Sequence, residues 1–130
     1  LKYVGSFLER QSILIIVSDF IGLKGDWEKH LRLAAGKYDV IGVMARDPRD
    51  KRLPEMEFGS VLLEGPFQDE QIVVDMKKVA PKYKQYVSRQ ENKLRETFLK
   101  TNSDFLSLET DKDYVRPLLQ FFRERATRKR

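Results

Sequence analysis

Apolar residues follow two rhythms along the chain. Residues 12–17, "SILIIV", and 38–47, "YDVIGVMARD", are branched apolar runs without alternation. That pattern predicts parallel strands covered on both faces. Each run leads to an acid, Asp19 in "ILIIVSDF" and Asp47 in the second. Between them, "GLKGD" predicts a loop, and Asp26 is placed to cap a helix from Trp27 to about Lys37. Such a helix brings Trp27, Leu31, Ala34 and Tyr38 onto one face. Strand, helix and strand with short links make a βαβ unit.

"PRDKRLPEMEFG" predicts a polar loop, and "SVLLEGPFQDEQIVVD" a hairpin with Gly65, Pro66 and acids at its turn. Residues 77–100 hold the longest helical pattern, with Val79, Tyr83, Val87, Gln90, Leu94 and Phe98 as its stripe and Pro81 in its first turn. "DFLSLET" is a third strand. A last helix starts near Asp113, because Pro117 is tolerated only in a first turn; its stripe is Val115, Leu118, Leu119 and Phe122. Residues 123–130, "RERATRKR", read as a frayed, solvated basic tail. The whole, 1–130, is expected to be a single α/β domain: three layers, a mostly parallel sheet of Rossmann-like type, and an inserted β-hairpin.

The first strand has one obvious neighbour, yet a strand so apolar needs two. Its free edge at 12–17, from Ser12 to Val17, is expected to pair with a segment outside the chain or with a second copy. "LKYVGSFLERQ" already shows helical periodicity without a cap and without an initiating Met. The expectation is a piece of a longer protein that begins inside a helix.

With 130 residues the chain is long enough for one real core. It contains no cysteine, which excludes disulfides, thiol catalysis and Cys-based zinc sites. No run approaches the roughly 18 apolar residues of a membrane span, and no signal peptide opens the sequence, so a soluble, cytoplasmic domain is expected. The net charge of +5 is uneven. Residues 1–76 carry 10 Lys/Arg against 13 Asp/Glu, whereas 77–100 carry 8 against 2 and 115–130 carry 6 against 1. The basic character belongs to the last two helices.

In open α/β sheets ligands bind at the carboxyl ends of the strands. Ser18–Asp19, Asp47 and Glu109–Thr110 fall there. Carboxylate and hydroxyl oxygens suit Mg²⁺. Each cluster also has a plainer reading: Asp19 as a turn former, Asp47 before Pro48 as a turn opener, and Glu109–Thr110 as a cap for the last helix. His30, the single histidine, sits mid-helix with no nucleophile near it in sequence and is read as structural. No glycine-rich phosphate loop occurs. Tyr83 and Tyr86 interleave with lysines in the basic helix, which would suit a phosphate backbone. Both tyrosines fall on or beside the apolar stripe, so core packing and a solvated basic face are preferred, and docking of an acidic protein lies between the two.

"ILIIVSDF", "YDVIGVMARDPRDKRLPEMEFGSVLLE", "VVD" with a Tyr-containing basic helix, and "LETDKDYVRPLLQFFRERATRKR" follow one another in the order that resembles the bacterial and archaeal family labelled domain of unknown function 58. That family is similar to von Willebrand factor type A domains. Residues 39–54 and "LLQFFRERA" carry most of the specificity. The resemblance implies a doubly wound sheet with a metal-ion-dependent adhesion site built from an Asp-x-Ser-x-Ser, a Thr and a later Asp. Asp19 matches the later Asp, whose implied role is to hold the metal through water, with Ser18 beside it. The first motif is absent from this chain, which therefore looks like the C-terminal half of such a domain, with its fourth to sixth strands. The sequence departs from the family pattern at Tyr38-Asp39-Val40, at Asp47-Pro48-Arg49-Asp50 and in the hairpin acids Glu64, Asp69 and Glu70.

The leading functional expectation is a non-enzymatic protein-interaction module. It needs no cofactor in this chain, uses Mg²⁺ in the full-length domain, and has a MoxR-type AAA+ ATPase as the partner that the resemblance implies. One alternative is a metal-dependent hydrolase or phosphotransfer domain using Asp19 and Asp47. A second is nucleic-acid binding through the basic helices, which the placement of the tyrosines makes the weaker reading.

Overall fold

A computed structural model describes residue 9 and residues 12–51, 60–65 and 68–128. The helical pattern expected over residues 1–11, apart from Glu9, and the hairpin turn at 66–67 fall outside the described residues, as does the expected polar loop 48–59 beyond its first four residues, which form a short helix instead. The elements run β1 (Ile13–Ser18), α1 (Trp27–Ala35), β2 (Asp39–Arg46), α2 (Pro48–Lys51), β3 (Ser60–Gly65), β4 (Gln68–Asp75), α3 (Met76–Lys100), β5 (Asp104–Glu109) and α4 (Val115–Arg128). The chain is α/β. Its main sheet has the order β1-β2-β5, with both pairings parallel, while β3 and β4 form the separate antiparallel hairpin.

Strand β2 is the central one and its apolar run is buried on both faces, as its sequence predicts. One face carries Val40, Gly42 and Met44, which meet Leu31 of α1 and Leu94 and Phe98 of α3 in the core cluster. Helix α3 can lie close because Gly42 has no side chain and the Phe98 ring takes that space. Phe20, Phe98 and Phe105 close the cluster; the Phe20 and Phe98 rings meet edge to face with centroids 5.6 Å apart. Leu31 and Tyr38 are buried and Trp27 and Ala34 are packed against them, so the face of α1 is as expected.

Helix α4 lies on the opposite face, held by charge more than by oil. Arg125 is buried and donates to Asp39 of β2 and, through Nε at 2.7 Å, to Asp104 of β5. Arg128 adds a 3.1 Å bond to Asp104. Two expectations are corrected here. Residues 123–128 are not a frayed tail, because the guanidinium of Arg125 pins them to the sheet. Of the apolar stripe expected for this helix, Leu118 is half-buried, whereas Val115, Leu119 and Phe122 are exposed. The side facing the sheet is Leu118, Phe121 and Arg125, spaced three and four apart.

Strand β1 also differs from expectation. Leu14 and Ile16 pack on the core, but Ile13, Ile15 and Val17 are 60%, 48% and 65% exposed. The strand is covered on one face only, and among the described residues it pairs on one edge only, with β2. Asp26 precedes α1 without a side-chain cap bond, while Asp75 caps α3 by accepting the Lys77 N–H at 3.2 Å. Since α3 starts at Met76, Pro81 lies inside it, past the first turn. In the stripe of α3, Val87, Leu94 and Phe98 are buried but Gln90 is exposed.

Candidate functional site

The parallel strands all end at one edge of the sheet, so Ser18–Asp19, Asp47 and Glu109–Thr110 arrive on the same rim. There they are used for three different local purposes. After β1 the chain reverses through Phe20, whose φ of 54° is unusual for a residue with a side chain. The reversal returns the Phe20 ring to the core, and two side chains support it. Ser18 Oγ accepts the Phe20 N–H at 3.0 Å, and Asp19 Oδ1 accepts the Ile21 N–H at 3.0 Å. Asp47 Oδ1 accepts the Arg49 N–H at 2.8 Å and so opens the short helix α2.

Glu109 has a different role from the helix cap expected of it. Its carboxylate takes Lys112 and, at 2.9 Å, Lys51. Hydrogen bonds from Lys112 and then Lys51 lower its pKa from 4.5 to about 2. Lys51 also reaches Glu91 at 3.5 Å, and Glu91 accepts from Ser107 Oγ at 2.9 Å, so α2, α3 and β5 are joined by one polar network. Thr110 contributes its backbone, with its N–H bonded to the Arg46 carbonyl at 3.1 Å. The cap of α4 is Asp113, which accepts the Val115 N–H at 2.9 Å.

These residues do not by themselves fit a metal. Among the described residues no three His, Cys, Asp or Glu side chains converge. Oxygens of Ser18 and Asp19 are engaged in the turn, and Glu109 is neutralised by two lysines. The rim brings the acids to one edge without bringing them together.

What the rim does assemble is a crevice around Arg46, a residue that sequence reasoning passed over. Position 46 closes the buried run of β2 on the face shared with Met44, and its side chain is carried in beneath α1 and α3. Arg46 is only 6% exposed. One guanidinium nitrogen donates to the Asp19 carbonyl at 3.0 Å, which ties β2 to the Phe20 turn. Its Nε is buried with no hydrogen-bond partner among the described residues. Above it lies a space of about 320 Å³ walled by Phe20, Trp27, Tyr83, Tyr86 and Leu94. Tyr83 is fixed by its hydroxyl, which donates to the Asp50 carbonyl at 3.1 Å. Tyr86 is 60% exposed and is not the core residue that the stripe suggested. The available signal was a cation closing an otherwise apolar buried strand.

A profile of the family described as "Protein of unknown function DUF58" matches residues 1–93. An uncharacterized protein of Mycobacterium avium is 27% identical over 124 residues, covering 89% of this chain and 68% of that protein. An uncharacterized protein of Mycobacterium tuberculosis is 29% identical over 120 residues, covering 89% of this chain but 36% of that protein. The chain thus spans about two thirds of the first relative and about one third of the second. Among solved structures, a universal stress protein family member from Burkholderia pseudomallei aligns with a TM-score of 0.31 and 14% identity over 88% of this chain and 75% of that one. That likeness is too loose to carry an inference.

Proposed function

The chain belongs to the DUF58 family, proteins of unknown function, and from that premise we propose that it is a non-enzymatic protein-interaction module. The observation that carries the reading is strand β1. Its outer face presents Ile13, Ile15 and Val17 to solvent, and its outer edge has no strand paired to it among the described residues. Exposed apolar surface of this kind marks an interaction site, and an open edge adds a row of unmet backbone groups. A strand of another polypeptide segment satisfies both at once: its backbone extends the sheet, and the element following it covers the three aliphatic side chains.

In this reading the chain supplies one half of a von Willebrand A-like sheet, and β1 is the seam. A MoxR-type AAA+ ATPase is the partner class suggested by the family resemblance, and a second copy of the chain is the occupant when nothing else is present. No helix among the described residues is long and apolar enough to cross a membrane. No metal ion enters this reading, because among the described residues no three acids converge on a site for one.

Light scattering of the isolated chain over a range of concentrations tests the seam. Concentration-dependent association is expected, and Ile15→Lys and Val17→Lys should each abolish it while leaving the fold intact by circular dichroism. A parent chain that stays monomeric at every concentration, or lysine variants that associate as the parent does, would remove the reading.

A further inference from the structure

We propose that the crevice over Arg46 is a binding site for a small organic anion, a carboxylate or phosphate monoester carried on an apolar ring. The inference is independent of the β1 seam and begins with an imbalance of charge. A guanidinium is always ionised, and burying one is costly unless an anion or a full set of acceptors compensates it. Among the described residues Arg46 has a single neutral carbonyl acceptor, that of Asp19, and a buried Nε with none. Elsewhere in this protein the buried cation is treated differently, since Arg125 receives carboxylates from both Asp39 and Asp104. Arg46 forms no such pair among the described residues. A native fold rarely leaves such a group without a purpose.

The surroundings say what kind of anion fits. The space above the guanidinium is about 320 Å³, at the small end of ligand pockets and sized for one ring with one charged group. Its walls mix apolar and polar residues, and Trp27, Tyr83 and Tyr86 offer ring faces and edges. Lys93 in the lining adds a second cation, while Glu28 and Asp50, also in the lining, disfavour a ligand with more than two negative charges. The position agrees as well, because the crevice lies outside the carboxyl ends of parallel strands. Arg46 lines the crevice beside the exposed Tyr86 ring, so an anion seated there would meet the guanidinium.

The single tryptophan of the chain, Trp27, lines the crevice and reports on it directly. The test is fluorescence titration of the full chain with phenylacetate, phenyl phosphate and the neutral phenylacetamide. Saturable changes at millimolar concentration with one or both anions, and none with the amide, are expected. The anion that saturates identifies carboxylate or phosphate as the group received. Arg46→Met should weaken binding by about tenfold or more, the effect of losing a charge-assisted hydrogen bond. Should Arg46→Met fail to fold, Tyr86→Ala decides, because its exposed ring is a wall of the crevice and not of the core; it should weaken binding with unchanged melting. Absence of saturation with both anions, equal response to the amide, or unchanged affinity in the folded variants would overturn the proposal.

Discussion

The Phe98 ring of α3 fills the place where Gly42 of β2 lacks a side chain: a β-carbon there would stand 2.5 Å from Cε1 and 2.7 Å from Cζ. Phe98 is almost wholly buried and is held by Phe20 and Phe105, so the ring has little room to yield. Gly42→Ala should therefore destabilise the fold by about 1–3 kcal/mol, the usual cost of overpacking. Adding Phe98→Leu should recover part of that loss, and urea unfolding of the two single variants and the double variant measures the coupling. Additive losses would show that the two residues do not compete for one space.

Arg125 is the corresponding anchor on the other face. Arg125→Met keeps the length of the side chain but withdraws the guanidinium from between Asp39 and Asp104. The carboxylates are only partly solvated, so a loss of about 2 kcal/mol is expected, below the range for fully buried pairs. Amide exchange along α4 should rise more than exchange along β2. Unchanged stability in Arg125→Met would mean that Leu118 and Phe121 hold the helix unaided.

Acid should weaken the network around Glu109 in a defined direction. Its pKa is about 4.5 unfolded and about 2 folded, so ionised Glu109 adds stability that is complete above pH 4.5 or so. That contribution declines as pH falls from there and is lost as pH passes down through about 2. Because Lys112 is largely exposed and screened, about 1 kcal/mol is expected near neutrality. Glu109→Gln should be less stable than the parent at pH 6 and equal to it near pH 2. Parallel stability curves for the two proteins between those limits would contradict this account.

The fold was legible in the sequence wherever burial dictates pattern. The uninterrupted apolar run of β2 demands cover on both faces, and Trp27, Leu31 and Tyr38 at helical spacing demand one side of cover. Strand β1 shows where that logic stops. Its sequence carries the same signal as β2, yet Ile13, Ile15 and Val17 face outward, because composition records that a residue should be covered but not which molecule covers it. The basic end of α4 misled for a related reason: "RERATRKR" looks solvated until Asp39 and Asp104, far away in sequence, supply the partners for Arg125.

The candidate site was legible only as a place. Position at the strand ends drew attention to Asp19, Asp47 and Glu109, and each proved to be occupied with a turn, a helix start or a pair of lysines. Arg46 escaped notice because its one local signal, a cation closing an apolar strand, is shared with any surface arginine at a strand end. Its burial is conferred by α1 and α3, which arrive from both directions along the chain.

The parallel pairing of β2 with β5 also fixes an order of events in time. Ile41 lies opposite Asp104, 63 positions later, whereas Ile15 and Ile41 are only 26 apart. During synthesis β2 can meet β1 almost at once, but its second edge stays bare until the hairpin and the whole of α3 have been made. At ribosomal rates of about 5–20 residues per second that wait is roughly 3–12 s. Helix α3 forms far faster than that once made, but Phe98 precedes Asp104 by only six positions, so the helix reaches Gly42 little before β5 arrives. The second edge of β2 is thus open for most of the interval, and it closes only when α3 and β5 arrive together.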